Sequence, residues 1–190
     1  MQDDDIVRLA TSVSTVFNLE MACTDEMLGI AVHLHPHQVT LVPERREEIT
    51  TEGGLDVSRD RPRLHDGIMR LNAAGIRTSL FIGPDRDAVE ASRALGAAAI
   101  ELHTGRYAHA PTDPATVAAL RDAARHGASI GLAVHAGHGL DVENVGPVAA
   151  IPEIEELNIG HSVVSRALFV GLAEAVRELR RAMDAARGPS

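Results

Sequence analysis

The sequence predicts an α/β protein organised around a parallel sheet, on three observations. Apolar strand-like runs alternate with amphipathic helical stretches along the chain, giving six strand-then-helix units. No hairpin signal such as Asn-Gly joins short alternating runs, so the intervening helices force neighbouring strands parallel. Polar residues end several different strands, at Glu20, Glu101, His138 and Asn158. Spreading polar residues over many strand ends is barrel behaviour, whereas an open doubly wound sheet gathers them at one switch point.

Residues 3–15 read as a short helix in which Ile6, Val7 and Leu9 are apolar. Residues 16–21 then form a strand carrying Glu20 at its end. Thr24 sits three before Met27, with Asp25 and Glu26 in the first turn, an N-cap signature for a helix over 24–34. A strand over 38–42 is broken by Pro43 and followed by a polar segment, 44–56. The next helix covers 60–74 and stops at Gly75.

The unit then repeats. A strand over 77–82 turns at Gly83-Pro84-Asp85 into a helix over 85–95, closed by Gly96. Residues 98–103 form a strand and 104–113 a loop, after which Pro114 suits the first position of a helix over 114–126 that Gly127 ends. The strand over 129–135 opens into the glycine-flanked His138, and 144–150 make a short helical passage. A last strand covers 155–159, and Gly160-His161-Ser162 opens one long helix ending near Ala186.

The count is short for a closed barrel. Eight units need about 250 residues, roughly 30 each, and this chain has 190 residues. No G-x-G-x-x-G follows the first strand, which weighs against a dinucleotide fold. The residues alone therefore leave either a barrel short of two units or an open sheet, in one domain over 1–190.

Bulk properties narrow the partners. The net charge of −9 repels a polyanion, and three Phe, one Tyr and no Trp leave little for base stacking, so nucleic acid is excluded. There is no apolar run long enough for a membrane span, and the acidic start Met1-Gln2-Asp3-Asp4-Asp5 is unlike a secretory signal. A single cysteine, Cys23, rules out an internal disulfide framework and fits a reducing cytoplasm. Small phosphorylated substrates fit, because helix N-termini hold phosphate whatever the net charge. All 18 basic residues are arginine, which removes lysine-based Schiff-base catalysis.

The candidate site follows from the strand ends. Glu20 and Glu101 each lie in an otherwise apolar strand, Asn18 sharing a face with Glu20 and His103 with Glu101. Burial there raises a carboxyl pKa towards general-acid values. His138 follows a buried strand, between Gly137 and Gly139, and its proton can move near neutral pH. In Asn158-Ile159-Gly160-His161-Ser162 a strand turns into a helix whose first amides would face a phosphate. Thr50, Thr51, Gly53 and Gly54 could close over an anion, whereas Arg45, Arg46, Glu47 and Glu48 read as a solvated segment. The alternating His33, His35 and His37 fall at a helix end before the N-terminal side of a strand, and are read as turn and surface residues, with no metal site.

The stretches T-L-V-P-E-x-R-x-E-x-T-T-E-G-G-L-D-V, E-L-H-T-G-x-Y-A, H-A-G-H-G-L and I-P-E-I-x-E-L-N-I-G-H resemble the pyridoxine 5′-phosphate synthase family over essentially the whole chain. That resemblance implies a (β/α)8 barrel of TIM type that assembles into octamers built from dimers. It implies condensation of 1-deoxy-D-xylulose 5-phosphate with 3-amino-2-oxopropyl phosphate, with release of inorganic phosphate and water and no cofactor. By motif, Glu20 and Glu101 match acid–base glutamates and His138 a catalytic histidine, while Thr51 matches a ligand-contacting threonine. Gly139, Gly160 and His161 match phosphate-holding positions. The family's first two β/α units have no counterpart here, so the expectation is an N-terminally incomplete barrel of about six units with doubtful activity. The alternatives are another phosphosugar-handling isomerase or aldolase, or an inactive ligand-binding or structural subunit.

Overall fold

The computed structural model describes residues 3–45, 48–50 and 53–188. Six strands form one all-parallel sheet in strictly sequential order: β1 (Asn18–Met21), β2 (Gln38–Leu41), β3 (Arg77–Ile82), β4 (Ala99–His103), β5 (Ala133–Gly137) and β6 (Ile154–Asn158). Sequential order has no switch point, so the open doubly wound alternative is excluded. The sheet is the curled wall of an incomplete (β/α)8 barrel, in which β1 and β6 do not pair with each other.

Register sorts the side chains onto two faces, because paired residues on neighbouring strands point the same way. One face carries Leu19, Met21, Val39, Leu41, Leu80, Ile82, Ile100, Leu102, Val134 and Ala136, all buried. Four helices cover this side: α3 (Arg61–Ala73), α4 (Arg86–Ala94), α6 (Pro114–Ser129) and, against β6, α7 (Val145–Ala149). The concave face is polar: Asn18, Glu20, Gln38, Thr40, Ser79, Glu101, His103, His135, Glu156 and Asn158 follow one another across it. A register shift between Val134 and His135 skips Glu155 and keeps Glu156 opposite His135.

The helix starts follow the local signals. Thr24 caps α2 (Asp25–Leu34) by accepting from the Met27 amide at 3.3 Å. Asp85 caps α4 by accepting from Ala88, and Asp113 caps α6 ahead of Pro114. The first helix, α1 (Asp3–Ser12), is shorter than the expected 3–15.

Three expectations are corrected. Gly127 does not end α6; the helix runs on to Ser129, and the strand expected over 129–135 begins only at Ala133. A Cβ on Gly127 would lie 3.0 Å from Ile100 Cδ1 and 3.2 Å from Val134 Cγ2, so the glycine lets the helix sit close on the sheet. The expected loop over 104–113 contains α5 (Gly105–His109). The single C-terminal helix is two, α8 (His161–Val170) and α9 (Leu172–Arg187), broken where Gly171 adopts φ 81°.

Candidate active site

The C-terminal ends of the strands surround a cleft of about 970 Å³. Glu20, Phe81, Glu101, His138, Gly139, Asn158, Gly160 and His161 all line it. Six of the seven expected site residues therefore meet in one place; the seventh, Thr51, lies outside the described residues.

Glu101 is a strongly perturbed group in the cleft. The β4 register places it between Phe81 and His135, where it is 3% exposed. Asn158 donates to its Oε2 at 2.7 Å. Its other oxygen lies against Gly137, where a Cβ would collide with it. Burial pushes the Glu101 pKa up to about 7, helped by the negative charges of Glu20 and Glu156 and opposed by the Asn158 hydrogen bond. A carboxyl with this pKa can give and take a proton near neutral pH. Glu20 departs from expectation: on edge strand β1 it is exposed at the rim of the cleft.

His138 occupies the turn after β5 with φ 84°, a region uncommon for a residue with a side chain. The strained turn is held by Thr104, directly after β4. The Thr104 amide donates to Gly137 O at 2.8 Å, and its hydroxyl lies 2.7 Å from that oxygen and 2.5 Å from His138 O. Gly139, at φ 81°, continues the turn past Ala108, 2.8 Å from where its Cβ would be.

The α8 N-terminus faces the same cleft through Gly160, His161 and Ser162. Ser162 does not cap it: the hydroxyl donates to Leu140 O at 2.6 Å. No side chain caps this helix among the described residues, which leaves its first amides without a side-chain acceptor at the edge of the cleft.

The segment after β2 is tied down rather than solvated. Glu48 accepts from Arg63 at 2.7 Å and from the Glu44 amide at 2.9 Å, which holds its pKa below the usual carboxylate range despite partial burial. Leu55 donates to Phe81 O at 2.7 Å, and Gly54 packs on the backbone of Ile82 and Gly83. Arg46 and Glu47 lie outside the described residues. The three histidines of H-L-H-P-H lie at the opposite end of the strands, His33 in the last turn of α2. His35 is the left-handed C-cap of α2, and His37 accepts from the Phe17 amide at 3.1 Å.

Sequence reasoning missed His103 as a site residue. Its ring stacks on that of His138 with centroids 4.6 Å apart and meets Phe81 at 5.1 Å. The signal was present, since Glu101 and His103 share a strand face, but the stack on His138 joins residues 35 apart.

The family described as "Pyridoxal phosphate biosynthesis protein PdxJ" matches residues 1–185. The chain belongs to this family. Pyridoxine 5′-phosphate synthase of Thioalkalivibrio sulfidiphilus is 53% identical over 98% of the chain and 77% of the relative. The enzyme of that name from Synechococcus sp. is 53% identical over 96% of the chain and 78% of its own length, and that from Magnetococcus marinus 49% identical over 96% and 76%. Among solved structures, a 4-hydroxy-2-oxoglutarate aldolase superposes with a TM-score of 0.61 at 17% identity, covering 98% of this chain and 76% of that one. A lactate oxidase superposes with a TM-score of 0.62 at 12% identity, covering 94% and 57%. These structural likenesses concern the fold.

Proposed function

We propose that this PdxJ-family chain is a pyridoxine 5′-phosphate synthase. It condenses 1-deoxy-D-xylulose 5-phosphate with 3-amino-2-oxopropyl phosphate to pyridoxine 5′-phosphate, inorganic phosphate and water. The observation that carries the reading is Glu101: a buried carboxyl with a pKa of about 7, opening on the cleft that holds His138 and the α8 N-terminus. The amine of one substrate attacks the ketose carbonyl of the other to form a Schiff base. Glu101 takes and returns protons during the dehydrations, with Glu20 as its partner at the rim, and His138 serves the carbonyl and hydroxyl steps. Gly139, Gly160 and His161 hold a phosphate at the helix N-terminus, and Thr51 contacts substrate. The carbonyl chemistry belongs to the two substrates, because the chain contains no lysine to supply an enzyme amine.

With β1 and β6 unpaired with each other, the concave face is open along one side, and admitted water weakens electrostatic contacts there. The 190-residue chain by itself is therefore expected to turn over slowly. Purified protein given both substrates releases phosphate together with pyridoxine 5′-phosphate; phosphate release from the ketose phosphate alone overturns the reaction. A cytoplasmic homo-oligomer is part of the proposal, supported by the exposed apolar residues Val164, Leu168, Phe169, Leu172 and Val176 on α8 and α9. Light scattering that shows only monomer at micromolar concentration removes that part. Among the described residues no helix is long and apolar enough to cross a membrane.

A further inference from the structure

We propose that His103 is a positioning residue: a neutral imidazole, shaped into place by glycines, that seats the loop after β2 and holds the ring of His138. The inference rests on His138 acting in the site proposed above, but its structural part is readable without any reaction.

Four contacts define the ring. The Gly105 amide lies 3.2 Å from Nδ1, which must accept, so the proton of the neutral ring resides on Nε2. Gly105 also packs so closely that a Cβ there would collide with Cε1. From the loop after β2, a Cβ on Gly53 would come within 2.8 Å of both Cε1 and Nε2. Only backbone without side chains fits on these two sides. The remaining neighbours are the Phe81 ring, tilted at 60°, and the His138 ring, nearly parallel at 25°.

The charge state follows from this enclosure. Burial pushes the His103 pKa down to about 4, and the neighbouring His138 and His109 act in the same direction. Among the described residues those two are the titratable groups facing it, from the turn after β5 and from α5; Phe81 on β3 and Gly53 on the loop bring none. His103 therefore stays uncharged throughout the working range. Two stacked imidazolium rings would repel, so a permanently neutral His103 keeps the stack free of that repulsion. The 2.8 Å fit of Gly53 makes the same ring the floor under the loop that carries Thr50 and Gly54. One uncharged ring thus sets both the loop and His138.

Imidazole nitrogen NMR on the full chain, followed from about pH 5 to pH 8, tests this directly. The expected spectrum shows His103 as a single Nε2–H tautomer that does not titrate. His103→Ala should shift and broaden the His138 ring signals, whereas His103→Gln, which restores a flat uncharged group, should leave them near wild type. Gly53→Ala, which displaces the loop from the ring, should also move the His138 signals. In the synthase assay His103→Ala should lower kcat roughly 10-fold to 100-fold and His103→Gln should recover most of it. A titrating His103, or His138 signals unmoved by both His103→Ala and Gly53→Ala, overturns the proposal. So does equal loss of kcat in the Ala and Gln variants, which would make His103 a proton carrier. If wild type shows no synthase activity at all, the reaction assignment fails while the NMR result still decides the role of His103.

Discussion

Replacing Glu101 with glutamine separates what the carboxyl does for the reaction from what it costs the fold. Its pKa rises from 4.5 to about 7, chiefly through burial. Below pH 4.5 the group is protonated in folded and unfolded chains alike. Between 4.5 and about 7 the unfolded chain releases the proton while the folded chain keeps it, so stability falls as pH rises. Above about 7 both forms are ionised and the whole cost is present. A shift of this size corresponds to roughly 3 kcal/mol. Glutamine keeps an oxygen for the Asn158 amide and never ionises. The stability of E101Q relative to wild type should therefore improve by roughly 3 kcal/mol between about pH 4.5 and about pH 8. His103 and His135, with pKa values of about 4, are common to both proteins and cancel in the difference. Urea unfolding at closely spaced pH values measures it, and activity should meanwhile fall about 10²–10⁴-fold. A stability difference that stays flat across the window refutes the raised pKa, whatever happens to turnover.

Asn158→Leu removes the donor to Glu101 and should push its pKa up by about one further unit, seen as an upward move of the acidic limb in the pH–rate profile. A limb that stays put or falls contradicts that hydrogen bond. Gly127→Ala should cost about 1–3 kcal/mol in thermal or urea unfolding, because the added methyl meets Ile100 and Val134; a neutral or stabilising result would mean the helix has room to shift. His135, buried with Nδ1 3.5 Å from Gln38 Nε2, has its pKa lowered from 6.5 to about 4, first by burial and then by Arg77. The unfolded chain binds that proton first, so the contribution is complete above pH 6.5 and is lost as pH falls towards 4; His135→Asn should flatten this acid-side decline in stability. Inorganic phosphate should shift the amide signals of His161, Ser162 and Val163 in an NMR titration, and Gly139→Ala, strained at φ 81°, should weaken the effect. Shifts spread evenly over the protein would argue against a site at α8.

What the sequence by itself determined was what depends on neighbours along the chain. The six β/α units, the Thr24 cap with its acidic first turn, and the Pro114 helix start are local signals, and they appear at or within a few residues of their expected places. The strand ends carrying Glu101, His138 and Asn158 were equally legible, because alternation and glycine turns need only a short window. Tertiary structure decided what depends on residues far apart. Glu20 and Glu101 look alike in sequence, yet one lies on edge strand β1 and is exposed, while the other is enclosed by β3, β5 and β6. Burial in that enclosure pushes the Glu101 pKa up to about 7. Gly127 and Gly75 are both glycines near a helix end, but only the first touches the sheet, so one packs and the other stops a helix. His103 became part of the site only when β4 and β5 paired in register and placed it beside His138, since ring stacking depends on distance in space rather than in sequence.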